Sequence, residues 1–199
     1  MSITAQTWEG ETEPQCQPYQ QSETERLTLR RYRLVDAVQY HELGFRNREH
    51  WARYEADNPI QHLATVDDTV TLLAAFAESW DAGESYFLGI FLKNTGALIG
   101  QIYVGAATPT LPDYAVGYII DLEHQGKGYV TEAVRRVTRW LFRDLHAHRI
   151  HIECDDTNAR SAAVARRSGF KQEAHLRQNK RNPDGTITGA LMFGLLRDD

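Results

Sequence analysis

The segment Gln125–Tyr129 constrains the fold of this chain most, because it places two glycines one residue apart between a predicted strand and a predicted helix. The strand is predicted over residues 114–121, and residues 126–145 carry apolar side chains at helical spacing. Residues 149–155 then alternate strictly between apolar and polar side chains, which predicts another strand. A strand–helix–strand unit needs a crossover connection, so we predict an α/β or α+β domain with a mixed sheet.

Further elements are predicted on both sides of this unit. The additional strands are residues 26–32, 86–92 and 98–104, the extended segment from Phe170, and residues 186–196 after a turn at Asn182–Gly185. The additional helices are residues 35–46, a short piece at 47–54, residues 65–80 and residues 158–168. The sheet then has about seven strands flanked by helices. Residues 1–24 are polar and without periodicity, so we expect a flexible tail followed by a single domain over residues 25–199.

Composition limits the function classes. The chain has 22 Lys and Arg against 27 Asp and Glu, a net charge of −5, which argues against a surface built to bind a nucleic-acid backbone. Its apolar runs are far shorter than the ~18 residues that a membrane span needs, and its N-terminus lacks the basic-then-apolar order of a secretory signal. Two cysteines, Cys16 and Cys154, are too few for a disulfide framework. We therefore expect a cytoplasmic protein that binds neither nucleic acid nor membrane.

The loop glycines, Gly126 and Gly128, allow a tight turn and a close approach of a ligand to the backbone. The first amides of the following helix lack carbonyl partners, and together with the helix dipole they suit a diphosphate. Lys127 either adds positive charge or points to solvent. The loop is not a P-loop, because Gly128 stands where Ser or Thr is required, and Thr131 replaces the third glycine of a dinucleotide fingerprint. A glycine-rich turn without a ligand is the alternative.

A second pair of polar residues follows the next strand. Asn158 stands at a predicted helix start, where Asn is a good N-cap. Ser161 lies three residues later. On spacing alone, a plain helix cap and a surface hydroxyl explain both residues as well as a binding site does.

Several motifs together resemble a known family. They are Gln-Gly-Lys-Gly-Tyr-Val-Thr-Glu-Ala at residues 125–133, Asn-Ala-Arg-Ser at 158–161 and Ser-Gly-Phe at 168–170. In this order and spacing they resemble the GNAT superfamily of acetyl-CoA-dependent N-acetyltransferases, most of all the branch of ribosomal-protein-alanine N-acetyltransferases. The resemblance covers about residues 25–196. It implies a mostly antiparallel GNAT sheet, acetyl-CoA as cosubstrate, and a primary amine as acceptor, either a protein N-terminus or a small molecule.

The resemblance also implies a cofactor site. The family's phosphate loop falls on residues 123–128, where Glu123 departs from the usual Gln or Arg, so the loop amides rather than that side chain would bind the pyrophosphate. The implied cofactor-binding residues are Ile119, Ile120 and Asp121 in the strand, Gln125, Gly126, Lys127, Gly128, Tyr129 and Val130 in the loop and helix start, and Asn158 and Ser161 on the next helix. Ser161 is in addition the implied acid for the departing thiolate.

Two departures from the family pattern concern the acceptor. Ala115 stands where relatives often carry a carboxylate in the strand before the loop, and Thr188-Gly189 replaces an Asp that is common in the final hairpin. An α-amine with a pKa of about 7.7–8.0 is mostly protonated at pH 7, so transfer needs a base. Glu153 is our catalytic candidate for that role.

His151, Glu42 and Asp113 are alternative bases. We expect direct attack of the amine on acetyl-CoA. An acetyl-cysteine at Cys154 is the competing mechanism, although Cys154 alternates with Ile150 and Ile152 and is therefore predicted to be buried.

The acceptor site and the assembly complete the expectations. In relatives, the region of Trp51 and Tyr54 covers the acceptor, so we expect one or both to line it; packing under a loop is the alternative. We expect no metal site, and a monomer or homodimer. The second function hypothesis is a non-catalytic acyl-CoA-binding sensor, which would keep the phosphate loop and need no base.

Overall fold

The computed structural model of the chain describes residues 21–105, 111–182 and 184–199. Within these ranges one sheet contains eight strands in the spatial order β1-β2-β3-β4-β5-β6-β8-β7. The strands are β1 (Gln21–Glu23), β2 (Leu27–Arg31), β3 (Ser85–Leu92), β4 (Leu98–Gly105), β5 (Asp113–Ile120), β6 (Arg149–Asp155), β7 (Lys171–Arg181) and β8 (Ile187–Leu196). Neighbouring strands are antiparallel except β5 and β6, which pair in parallel. The mixed, mostly antiparallel sheet is therefore confirmed.

Helices cover both faces of this sheet. They are α1 (Ala37–Trp51), α2 (Val66–Asp81), α3 (Tyr129–Asp144) and α4 (Ala159–Arg167). The apolar side of α3, with Ala133, Val137 and Leu141, is buried in the larger core together with α4. Helices α1 and α2 pack on the opposite face, chiefly over β3 and β4. None of the helices in the described residues combines the length and the apolar character needed to cross a membrane.

The parallel pair of β5 and β6 is short. It joins Asp113–Ala115 to Arg149–His151 and goes no further. β5 stays paired with β4 as far as Ile120, and β6 stays paired with β8 as far as Asp155. Because each strand follows its antiparallel neighbour, the two diverge after their short contact and open a cleft in the sheet.

Part of the segment expected to be an N-terminal tail is a strand of the sheet. Gln21–Glu23 pairs with β2 as an antiparallel strand, and the side chain of Ser22 is buried. Residues 21–23 therefore belong to the folded domain, which raises the strand count from the expected seven to eight. Residues 1–20, the rest of that prediction, lie outside the described residues.

Two helix boundaries differ from the sequence prediction. α1 continues as one helix to Trp51, where two pieces were predicted. α3 begins at Tyr129 rather than at residue 126, because Gly126 and Gly128 have φ angles of +74° and +81°. Left-handed backbone cannot continue a right-handed helix, so both glycines remain in the loop.

Candidate active site

The divergence of β5 and β6 creates a cleft of about 230 Å³. The two strands form its walls, and α4, the segment after α1 and the β7–β8 hairpin border it. The residues that line it include Tyr54, Glu55, Gly117, Tyr118, Glu153, Cys154, Asp155, Asn158, Ser161 and Lys180.

The backbone of β5 presents alternate residues to this cleft. The N–H of Asp121 donates to the carbonyl of Ile99 in β4 at 2.8 Å, and in an antiparallel pair residues two positions apart share this direction. The main chain of Ile119 therefore also faces β4, whereas that of Tyr118 and Ile120 faces the cleft. This corrects the expectation that Ile119 and Asp121 pair with the pantetheine arm, since the sheet itself uses their main-chain groups.

Trp51 does not line the acceptor site as expected. Its side chain is buried in the smaller core, and its indole N–H donates to the Ile120 carbonyl at 3.1 Å. Trp51 thus occupies the cleft-facing carbonyl that was expected to bind the pantetheine arm. For Trp51 the alternative prediction, that it packs in the protein interior, is therefore correct.

Helix α1 also holds the residues that follow β5. Arg46 donates two hydrogen bonds, of 2.8 and 2.6 Å, to one carboxylate oxygen of the buried Asp121. Burial alone would raise the pKa of Asp121, but the Arg46 ion pair keeps it below its ordinary value. The buried amide of Asn47 accepts a hydrogen bond from the Leu122 N–H at 2.9 Å. The Asp121 carboxylate is therefore structural, because it positions the start of the phosphate loop.

The phosphate loop leads into α3 with its backbone open to a ligand. Gly126, Lys127 and Gly128 are exposed, and no side chain caps the helix. The amides of Tyr129 and Val130 belong to the first turn, whose N–H groups have no carbonyl partners within the helix. The side chain of Val130 is itself buried, so this residue can contribute only its backbone to a bound phosphate.

Arg26 contacts the phosphate loop and the start of α3. Its guanidinium donates to the Lys127 carbonyl at 3.0 Å and pairs with Glu132 at 2.6 Å. It also lies over the Tyr129 ring, 4.5 Å from the centroid. These contacts fix the Lys127 carbonyl on the side of the loop that Arg26 occupies.

The side chain of Gln125 is tied to two helices. Its amide nitrogen contacts the Nε2 atom of His50 at 2.6 Å, and its amide oxygen accepts from Arg160 at 2.7 Å. Gln125 therefore links α1 to α4 across the loop. Its expected part in cofactor binding remains a prediction.

Ser161 and Tyr118 form a hydroxyl pair in the cleft. The Tyr118 hydroxyl lies 2.9 Å from Ser161 Oγ and 3.0 Å from the Ser161 carbonyl. Asn158 positions this turn of α4, because its Oδ1 accepts from the Ser161 N–H at 3.1 Å. Burial raises the pKa of Tyr118, so its hydroxyl stays protonated at neutral pH. Sequence reasoning selected Ser161 and Asn158 but missed Tyr118, whose role depends on a partner 43 positions away.

Cys154 also borders the cleft. It is buried in the main core, as the strand alternation predicted. Burial raises the pKa of its thiol, which leaves little thiolate at neutral pH. This environment disfavours an acetyl-cysteine mechanism.

The candidate bases fall in different places. Glu153 is exposed and lies on the cleft wall. Asp113 is engaged in the short parallel pair, where it contacts His151 Nδ1 at 2.8 Å and Arg149 at 3.4 Å. Glu42 is an exposed residue of α1 and does not line the cleft. Of these candidates, Glu153 lines the cleft, and its catalytic role stays a prediction.

The segment after α1 reaches across to α4. The Tyr54 hydroxyl donates to the Thr157 carbonyl at 3.3 Å, and its side chain lines the cleft. Glu55, the next residue, also lines the cleft and was not selected from the sequence. The one signal that could have found Glu55 is its place beside Tyr54 in the segment that resembles an acceptor cover.

The residues of the loop and cleft fit acetyl-CoA. A Cβ placed on Gly126 would meet nothing within 4 Å, so the space above the loop is open to a diphosphate. The buried Oγ1 of Thr131, in the first turn of α3, has no hydrogen-bond partner among the described residues. The cleft lies along the free edge of β5, the strand that leads into this loop, and an extended pantetheine arm can lie against that edge.

Comparisons with known proteins agree with this geometry. A family model, "Acetyltransferase (GNAT) domain", matches residues 26–171. The probable N-acetyltransferase YjcK of Bacillus subtilis is 31% identical over 158 residues, which cover 77% of this chain and 84% of that protein. The ribosomal-protein-S5-alanine acetyltransferase of Vibrio fischeri superposes with a TM-score of 0.80 at 25% identity, over 90% of this chain and 97% of that one.

A further solved structure has the same fold. It is the ribosomal L7/L12 α-N-protein acetyltransferase RimL in complex with coenzyme A, with a TM-score of 0.79 at 22% identity, over 88% of this chain and 96% of that one. The sensor alternative finds no support among these enzymes. The chain therefore belongs to the GNAT family and is an acetyl-CoA-dependent N-acetyltransferase.

Proposed function

We propose that this enzyme acetylates the α-amine of a protein N-terminus in the cytoplasm, by direct attack of the amine on acetyl-CoA. The observation that carries the proposal is the cleft, which brings the Tyr118–Ser161 hydroxyl pair next to a sheet surface that α1 and α2 leave largely uncovered. A direct transfer needs both substrates at one place, and the cleft holds the hydroxyl pair between the free edge of β5 and this surface.

The uncovered surface suits an extended peptide. Ala115 and Gly117 on β5 are small, and Glu153 on β6 is exposed beside them. The carboxylates of Glu153 and Asp155 attract a cationic amine to the cleft. Of the two solved structures described above that share this fold, one is named an L7/L12 α-N-protein acetyltransferase and the other a ribosomal-protein-S5-alanine acetyltransferase, which supports a protein acceptor here.

Ser161 acts as the general acid of the reaction. An amide of the free β5 edge, such as that of Tyr118, stabilises the charge that develops on the thioester oxygen. Ser161 Oγ donates a proton to the departing thiolate, and the Tyr118 hydroxyl, 2.9 Å from Oγ, replaces that proton. The Cys154 thiol takes no part.

A panel of acceptors tests this function. We expect acetyl transfer to hexapeptides with a free N-terminal Ala or Ser, measured by thiol release and located by mass spectrometry. The N-terminal amine is favoured over a lysine side chain because an α-amine has a pKa of about 7.7–8.0 against about 10.4 for lysine, so more of it is neutral at pH 7.

The matched control is the same peptide with a blocked N-terminus and one internal lysine. Transfer to that lysine, or faster transfer to spermidine than to either free peptide, contradicts the N-terminal assignment. Acetyl-CoA turnover itself is expected with at least one amine.

Initial-rate kinetics test direct attack. Because both substrates must be bound together, double-reciprocal lines at several fixed acetyl-CoA concentrations are expected to intersect. Parallel lines would indicate a covalent acetyl-enzyme and would return Cys154 to consideration as the nucleophile. A Cys154→Ala variant with unchanged kcat is the corresponding control.

A further inference from the structure

Glu55 is a carboxylate of the cleft that the reaction described above does not use. It lies four residues beyond the end of α1, and its N–H donates to the Trp51 carbonyl at 2.8 Å, which fixes its backbone. Its side chain borders the same cleft as Tyr118 and Ser161. A carboxylate therefore stands at the acceptor side of the cleft that holds the hydroxyl pair.

Asn58 orients this carboxylate. The Asn58 Nδ2 group donates to Glu55 Oε2 at 3.1 Å, while its Oδ1 accepts from the Ile60 N–H at 3.2 Å. Because the Ile60 bond caps the short helix Pro59–His62, the amide cannot reverse without losing the cap. Asn58 thus holds one oxygen of Glu55, and an amine or a water molecule can contact the other.

The surroundings of Glu55 make its carboxylate more basic than that of an ordinary glutamate. The titratable and charged groups that face the same cleft are Tyr54 beside it, Tyr118 of β5, Glu153, Cys154 and Asp155 of β6, and Lys180 of β7. Burial raises the pKa of Glu55, although the Asn58 hydrogen bond and the Lys180 charge oppose this effect. Among the described residues Glu55 forms no ion pair. A carboxyl group with a raised pKa is a better base at pH 7 than an ordinary glutamate.

We propose that Glu55 is the general base of this acetyltransferase and accepts the proton of the acceptor ammonium, directly or through one water. The proposal rests on the proposed function, since it assigns a residue of that same site. Glu153, which is exposed on the cleft wall, then attracts and orients the ammonium before the transfer.

The protons balance with Glu55 and Ser161 in these roles. The acceptor ammonium loses one proton to Glu55, which releases it to solvent, and the neutral amine then attacks the thioester carbonyl. The new carbon–nitrogen bond forms and the carbon–sulfur bond breaks. Ser161 gives its proton to the departing thiolate and regains one from Tyr118. The second amine proton leaves as the tetrahedral intermediate collapses and passes through water to Tyr118, which restores the hydroxyl pair. The products are the acetylated amine, the free thiol of CoA and one proton.

Glu55→Gln tests the proposal, because it keeps the acceptor oxygen for Asn58. At pH 7 we expect kcat/KM for the N-terminal Ala peptide to fall about 100-fold, the lower end of the usual range for general acid–base catalysis. The acetyl-CoA affinity, measured by calorimetry, should stay unchanged. The deficit should shrink at pH 9, where the α-amine is already mostly neutral and needs no base.

Two further variants sharpen the result. Glu42→Gln, outside the cleft, is the matched control and should behave as wild type. Glu153→Gln should raise the KM for the peptide and leave the pH dependence of kcat unaltered. An E55Q deficit that is the same at pH 7 and pH 9, or a pH dependence that is lost in E153Q instead, overturns the assignment to Glu55.

A measurement without any acceptor separates this proposal from the proposed function. If the wild type prefers another amine to the peptides, the E55Q comparison is run on that amine. In addition, the ¹³C carboxyl resonance of Glu55, assigned by its loss in E55Q, is titrated in the free protein. We expect its midpoint above that of the exposed glutamates; titration together with them overturns the proposal even where the peptides are good acceptors.

Discussion

Gly128→Val is expected to weaken acetyl-CoA binding by well over tenfold, about 1.4 kcal/mol or more. Gly128 has a φ of +81° and immediately precedes α3, so a β-branched side chain there strains the backbone and adds bulk next to the uncapped amides. A Cβ at this position would meet only Arg26 Nη2, at an ordinary distance of 3.5 Å. The Cβ itself therefore clashes with nothing in the protein, and the expected loss comes from the altered loop backbone and the bulk beside the first amides of α3.

The control for this prediction is Gly96→Val. Gly96 has a φ of +71° and lies in the β3–β4 turn, where an added Cβ would meet nothing within 4 Å. Both substitutions impose a left-handed backbone on a β-branched residue, which costs about 1–3 kcal/mol of stability. Only G128V should lose acetyl-CoA affinity in calorimetry. Equal affinities for G128V and wild type would remove the phosphate loop from the binding site.

Ser161→Ala is expected to lower kcat and kcat/KM together by roughly 10–100-fold, with acetyl-CoA affinity little changed. The hydroxyl acts on the leaving thiolate and therefore mainly in the transition state. A CoA thiol leaves readily even unassisted, so we expect the loss to lie near the bottom of the range for general-acid catalysis. Alanine keeps the helix propensity and nearly the volume of serine, and the Asn158 cap uses the Ser161 backbone, which the substitution preserves.

Two comparisons decide how the hydroxyl acts. Ser168→Ala, at the buried C-terminal cap of the same helix, is the control and should leave kcat unchanged. Tyr118→Phe should lower kcat as well, because Tyr118 supplies the proton that Ser161 loses. A rise in the KM for acetyl-CoA alone would make Ser161 a binding contact. If Ser161→Ala changes neither kcat nor the KM for acetyl-CoA, the Ser161 hydroxyl has no part in binding or catalysis.

Part of the candidate site could be predicted because its signals are local in the chain. The position of Gly126 and Gly128 between a strand and an amphipathic helix predicts an open phosphate loop, and both glycines do adopt the left-handed backbone that favours this residue. The alternation of β6 likewise predicts that Cys154 points into the core. The motifs at 158–161 predict a cap and a hydroxyl at the start of α4, and both occupy the cleft.

Side-chain roles that depend on distant partners could not be predicted in this way. Asp121 was expected to face the cofactor, but Arg46, 75 positions earlier, engages its carboxylate. Trp51 was expected at the acceptor site, but its indole reaches the Ile120 carbonyl, 69 positions later. No spacing rule connects residues so far apart, because their proximity follows from how α1 packs against the sheet.

The sequence by itself determined the order of the elements, the crossover that makes the sheet mixed, and the glycine loop at the start of α3. These depend on backbone preference and on periodicity over a few residues. Only the tertiary structure decided where β5 and β6 part, which β5 groups face the cleft, and that Glu55 shares this cleft with the Tyr118–Ser161 pair. The physical reason is that each of these features depends on contacts between segments far apart in the chain. β5 stays paired with β4 and β6 stays paired with β8, so the two strands separate. The packing of α1 against the sheet then places the segment after α1 at the edge of the cleft.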